Sequence, residues 1–134
     1  MVAITELGGR TLHISDSAIA LVAGPYPHDV GPHTYVYGPI PAPIVTAEAP
    51  LSLVSRLAIE KPMAKLTRPN DTPVWISGPA VTWLRDPVAS ERPVPPNVVR
   101  SVVGVGSLHQ AVREELADAA VILKEAGAKP DLFP

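Results

Sequence analysis

The chain has no cysteine among its 134 residues, which excludes disulfides, thiolate nucleophiles and the cysteine-based zinc sites. Aromatic residues are scarce as well, with two Trp, three Tyr and one Phe. No apolar run approaches the roughly 20 residues needed to cross a bilayer, although hydrophobic residues make up 46% of the chain and mean hydropathy is +0.20. Residues 1–9 contain Glu6 and hold neither a basic segment nor a long apolar one, so no signal peptide is read there. A cytoplasmic location, or assembly into a particle, is the resulting expectation. An excess of positive charge is also missing: 11 basic groups face 13 acidic ones, a formal charge of −2. Non-specific affinity for nucleic acid comes mainly from Lys and Arg neutralising phosphates, so a balanced chain is ill suited to that work as a monomer. An oligomer that gathers Arg68, Arg85, Arg92 and Arg100 into a ring keeps a nucleic-acid-binding regulator as the alternative reading.

What the chain does have is an internal echo. Ile4-Thr5, Leu12, Ile14-Ser15, Ala18-Ile19, Val22 and Pro25 return 62 residues later as Leu66-Thr67, Val74, Ile76-Ser77, Ala80-Val81, Leu84 and Pro87. After a longer loop the spacing becomes 66, and Val36, Gly38, Glu48, Val54 and Leu57 return as Val102, Gly104, Glu114, Ala120 and Leu123. Two copies of one supersecondary unit, residues 1–62 and 63–134, are therefore expected, each too small to bury its apolar face alone. The expected architecture is α+β: two β-rich units, each followed by a helix and related by a pseudo-twofold, with small antiparallel or mixed sheets. They should form one compact domain of two lobes sharing a core.

Within each unit the first two strands, Val2 to Leu7 and Arg10 to Ser15, or Ala64 to Arg68 and Thr72 to Ser77, flank turn chemistry at Gly8-Gly9 and at Pro69-Asn70-Asp71. A third strand, Ala18 to Ala23 or Ala80 to Arg85, is apolar almost without interruption, as suits a strand covered on both faces. Proline-rich loops lead to a fourth, Thr34 to Gly38 or Arg100 to Gly104, with Val36 and Val102 on the core side. A short helix is expected over Ala47 to Glu60, with Leu51, Val54 and Leu57-Ala58 as its stripe. The second helix is expected to open at Ser107, where Ser107 and Gln110 fit a capping box, and to end at Gly127 behind Lys124. Its apolar face would be Leu108, Val112, Leu116, Ala119 and Leu123.

Reactive machinery is thin. His28, Asp29 and His33 are the one local cluster of metal-capable side chains, and nothing in the second copy corresponds to it. Gly104-Val105-Gly106-Ser107 has the look of an anion-binding helix start, but lacks the third glycine and the lysine of a phosphate loop. A small ligand-binding protein or enzyme built on the His28 to His33 loop or the Gly104 to Ser107 turn is the second alternative. Ser107 and His109 would point to different faces of a helix, and Glu48 and Glu114 sit where a helix dipole favours a carboxylate. No catalytic residue, cofactor, metal or small-molecule ligand is therefore assigned. The chain is read as non-enzymatic.

The positive signal is aromatic. His13, Tyr35, Tyr37 and Trp75 are expected to share the sheet face opposite the core, Trp83 lies in a strand with no polar face, and Leu132 and Phe133 sit between prolines in the tail. Aromatic residues outside a core are enriched at protein interfaces. These seven are the candidate interface, and a homo-oligomer or larger protein assembly, without membrane, is the expected partner state. The pattern L-T-R-x-N-D-x-P-V-W-I-S-x-x-A-V at Leu66 to Val81, followed by a hydrophobic strand, a glycine and Glu114 at a helix start, resembles the small flagellar FlbD-like proteins. The resemblance implies a short β-sheet followed by a helix, here used twice, and no catalytic residues.

Overall fold

A computed structural model describes the chain apart from residues 1, 26–32, 41, 58–61, 92–97 and 130–134. The described residues form an α+β fold of small antiparallel sheets: ten strands, two α-helices and three short 3-10 turns. In chain order the elements are β1 (Val2–Thr5), β2 (Thr11–Ile14), a 3-10 turn (Asp16–Ala18), β3 (Leu21–Ala23), β4 (Thr34–Tyr37), β5 (Ile44–Thr46) and α1 (Pro50–Leu57). Then come β6 (Met63–Thr67), β7 (Pro73–Ser77), a 3-10 turn (Gly78–Ala80), β8 (Val81–Arg85), a 3-10 turn (Ala89–Glu91), β9 (Ser101–Val105), β10 (Leu108–Val112) and α2 (Leu116–Glu125). No helix among the described residues is long and apolar enough to cross a membrane.

Every strand pairing among the described residues is antiparallel. One sheet runs β5-β4-β3-β7-β6, another β10-β9-β8, and β1 pairs with β2. Two seams connect the three into a single order. Glu6 bridges Thr46, and Leu7 N–H donates to Val45 O at 3.1 Å, so β1 leads to β5. Arg113 N–H donates to Thr67 O at 2.8 Å, so β6 leads to the end of β10. Through these contacts the three sheets follow one another in the order β2-β1-β5-β4-β3-β7-β6-β10-β9-β8, with β2 and β8 at its ends among the described residues.

Alternation along the central strands feeds two cores. Leu21 and Ala23 of β3, Val74 and Ile76 of β7, and Tyr35 and Tyr37 of β4 point to a core completed by Val103, Val105, Val112, Ala119 and Leu123. Val22, Val36 and Trp75, from the same three strands, point the other way, into a core with Ile4, Ile19, Ile44, Leu53 and Leu57. Each fully buried Leu or Ile is worth about 1.5–3 kcal/mol, and the central sheet is held from both sides. This explains the unbroken apolar run of β3, all three residues of which are buried.

Both hairpin turns close the same way. Glu6 N–H donates to Arg10 O and Gly9 N–H to Glu6 O, while Arg68 N–H donates to Thr72 O and Asp71 N–H to Arg68 O. Gly9 has φ +92° and Asp71 φ +69°. A side chain with a left-handed backbone is costly except for residues such as Asp and Asn that tolerate it. Asp71→Val should therefore lower stability by about 1–2 kcal/mol whereas Asp71→Gly should not lower it by more than about 0.5 kcal/mol. Urea midpoints of the two variants test this, and equal losses would remove the backbone explanation.

Several expectations are corrected. Each half has a fifth strand: β5, where Pro39, Pro41 and Pro43 are expected to lead straight into the first helix, and β10, where the first turns of the second helix are expected. The second helix opens at Leu116 and not at Ser107, because Gly106, at φ +62°, turns the chain into a hairpin with Val105 opposite Leu108. Leu108 and Val112 are four residues apart, a spacing that lies on one face of a strand as well as of a helix. The C-terminus of α2 is as expected: Gly127 has φ +98°, its N–H donates to Lys124 O and that of Ala128 to Leu123 O, the two bonds of a Schellman motif. In α1 the buried residues are Leu53, Val54 and Leu57, and Leu51 is 65% exposed; Ala58 lies outside the described residues. Val103, which strand alternation sets opposite the expected core side of Val102, is in a core, and β8 is open on one side, with Thr82 exposed and Trp83, Leu84 and Arg85 half-buried.

Candidate functional site

The structure does not gather the candidate interface residues into one patch. Tyr35 and Tyr37 pack half-buried against one core, and Trp75, only 7% exposed, lies in the other, on the opposite face of the same sheet. Their aromatic surface is used inside the molecule, and Trp75 is corrected from surface to core. Leu132 and Phe133 lie outside the described residues, as do His28 and Asp29. His13 and Trp83 remain, one at each end of the strand order.

At the β2 end, β2 has β1 as its strand neighbour and no other among the described residues. His13 is exposed, Leu12 is half-buried and Ile14 is nearly closed off. Beside them is an open cavity of about 620 Å³, lined by Leu7, Leu12, His13, Ile14, Ile40 and Pro43, among others. Leu7 there is 51% exposed. Glu6 and Arg10, paired at 2.9 Å, also line it.

At the other end, Trp83 lies on the backbone of Gly104, its cross-strand partner. A Cβ at Gly104 would fall 2.0 Å from the indole, so glycine is required for the ring to lie flat on β9. Arg85 holds its guanidinium carbon 5.2 Å from the ring centroid and donates to Glu91 through Nη1 at 2.6 Å and Nη2 at 2.8 Å. Val88 N–H adds a bond to Glu91 at 2.9 Å. The Arg85 guanidinium, then the Val88 amide, pull the Glu91 carboxyl down to about 2. Like β2, β8 has one strand neighbour among the described residues, β9. Sequence reasoning singled out Trp83 and His13 but missed Leu12, Leu84 and Arg85 beside them, although the 62-residue spacing sets all three against buried counterparts.

The other candidate groups have structural work. Glu48 accepts from Arg56 Nη2 at 2.7 Å and Nε at 3.0 Å and from Ser52 Oγ at 2.8 Å, and Arg56 holds its carboxyl below the usual range. Arg56 also donates to Ala3 O at 3.1 Å, tying α1 to β1. Glu114 accepts from Thr67 N–H and Oγ1, both at 2.9 Å, tying the start of α2 to β6. Gly106 and Ser107 form a hairpin turn, and His109 is on β10 opposite Gly104, so no helix N-terminus faces an anion there. No group of three or more metal-capable side chains occurs among the described residues. Arg68 is 4% exposed and donates to Thr72 Oγ1 at 2.8 Å and to Gly24 O and Pro25 O at 3.2 Å, so it is not at the surface for phosphate. No family model, curated protein or solved structure matches the chain.

Proposed function

We propose that this protein is a non-enzymatic module made of two copies of one unit, which self-associates or joins a larger assembly through the ends of its strand order. The carrying observation is that, among the described residues, each end strand pairs on one side only and has apolar side chains beside its open side, Leu12 and the cavity at one, Trp83 and Leu84 at the other. Natural sheets guard exposed edges with charge, proline or a covering element, and an edge flanked by aromatic and aliphatic groups is suited to pairing with another chain.

Two copies are supported by recurrence of element order, two strands, a 3-10 turn, three strands and a helix, with the extra turn at Ala89–Glu91 in the second. Local contacts recur too. The left-handed residue is Gly9 in one hairpin and Asp71 in the other, and a hydroxyl at the start of the fourth strand donates to the carbonyl before the helix, Thr34 to Glu48 and Ser101 to Glu114. Cross-strand pairing favours a 67-residue spacing for this strand, since Val22 faces Val36 and Leu84 faces Val103. The relation between copies is better described as head-to-tail than twofold. A twofold would require β8 to meet β2 just as β3 meets β7, and no ladder joins them among the described residues. The likeness of the second copy to the FlbD-like unit fits the same reading, a small sheet and helix repeated.

Nucleic-acid binding through an arginine ring is disfavoured by the burial of Arg68 and the pairing of Arg85 with Glu91. Light scattering of the purified protein tests the proposal. A mass at a multiple of 14.1 kDa, rising with concentration through the micromolar range, is expected. A strict monomer that captures no partner would overturn it.

A further inference from the structure

We infer that copies of this chain join head to tail, β8 of one pairing antiparallel with β2 of the next, so that Trp83 enters the cavity beside β2. The inference rests on the two-copy reading above and names the partner, a second molecule of the same chain. It starts from the β3–β7 ladder, which joins the halves within the chain. There β3 pairs with β7 in the register Leu21 to Ile76, Val22 to Trp75 and Ala23 to Val74. Shifting the third strand forward by 62 residues and the second strand back by 62 converts these pairs to Trp83 with Ile14, Leu84 with His13 and Arg85 with Leu12. Those six residues lie on β2 and β8, the end strands, each of which has one strand neighbour among the described residues.

Burial tells the same story from the side chains. Leu21, Val22 and Ala23 are all buried, and so are Val74, Trp75 and Ile76, because each strand covers the other. At the ends, Trp83, Leu84 and Arg85 are half-buried, Leu12 is half-buried and His13 is exposed. Within the chain, Leu21 reaches past the junction into the core of the second half, and Trp75 reaches back into the core of the first. By the same exchange the Trp83 indole would swing from Gly104 into the next molecule's cavity beside Ile14, and His13 of that molecule would lie beside Leu84. The cavity, about 620 Å³ with Leu7, Leu12 and Ile40 on its wall, has room for an indole. Main-chain pairing would supply affinity, and the indole in its groove would set the register. A contact made by two different surfaces propagates, so the product is a closed ring or an open filament and not a twofold dimer.

The cysteine-free background makes the test clean. His13→Cys and Leu84→Cys are purified separately, mixed, and oxidised with copper phenanthroline; paired strands bring Cα atoms within the roughly 7 Å that a disulfide allows. The expected result is a disulfide-linked dimer in the mixture and none from either variant alone. Thr11→Cys with Asp86→Cys, both at exposed positions one residue further along the same register, repeats the test should Leu84→Cys fail to fold. Linkage of either variant to itself would overturn the inference in favour of a twofold contact. If scattering finds an oligomer but neither pair links, this interface is wrong while the assembly reading survives. If scattering finds a monomer without partner, both fall.

Discussion

Trp75→Ala is expected to cost about 3–5 kcal/mol, the largest single loss among the aromatic positions. Trp75 stands on a strand of the second half yet contributes its indole to the core of the first, with Ile4, Val22, Leu53 and Leu57. Removing it leaves a cavity at the strand ladder that joins the two halves, and β3 on one side and β6 on the other prevent the backbone from collapsing into it. For a chain of this length the loss corresponds to a fall in melting temperature of roughly 10–20 °C. A calorimetric or fluorescence melt, run at low micromolar concentration to limit any contribution from assembly, reads it directly. A fall of less than about 3 °C would mean that the indole is not a structural pin and that the junction relies on main-chain bonds alone. The comparison with Trp83 is informative. That ring rests on Gly104 at the open end of the strand order, so Trp83→Ala should disturb association more than folding.

The strands β1 to β4 and β6 to β9 were legible because each carries a period-two pattern or an unbroken apolar run between turn residues. Both hairpins could be read from Gly8-Gly9 and Pro69-Asn70-Asp71, and the end of α2 from Gly127. The misplaced start of the second helix has one cause. Leu108, Val112, Leu116, Ala119 and Leu123 form a single four- and three-residue series, and nothing in that series marks where a strand stops and a helix starts. The deciding signal was Gly106-Ser107 between two β-prone stretches, a two-residue hairpin turn that the apparent capping box concealed. In the first half, proline at positions 39, 41 and 43 discouraged a strand, yet β5 begins immediately after the last of them, where proline is tolerated. Strand boundaries are set locally, but face assignment is not. Whether Tyr35 and Trp75 look outward or into a neighbour depends on which strand lies beside β3, and that pairing joins residues 50 and more positions apart. The two open edges were invisible for the same reason: an edge is a missing pairing, and sequence records only the strand.

Gly78→Ala should be nearly as damaging, at about 3 kcal/mol or more, although it adds one methyl group. A Cβ at Gly78 would stand 2.2 Å from Ala126 O, 2.5 Å from its carbonyl carbon and 2.8 Å from Ala128 N. All three are backbone atoms of the Schellman turn that ends α2, and they are not free to yield. Gly127 keeps φ +98° with the Pro79 ring 3.4 Å from where its own Cβ would be, and Ala126 and Ala128 are buried in the core on either side. The turn therefore has to lift off Gly78–Ala80, and Leu123, fully buried one helical turn earlier, would be drawn out with it. Position 16, which the 62-residue spacing sets opposite Gly78, is an aspartate, so the glycine is demanded by the close approach of α2 and not by the 3-10 turn itself. Gly8→Ala is the control, since a Cβ there meets nothing within 4 Å. Chemical denaturation of the two variants should separate them by a drop in midpoint for Gly78→Ala alone, with hydrogen exchange showing faster opening of α2 than of β1 to β5. Equal midpoints would mean that the end of α2 is not seated on this turn in solution.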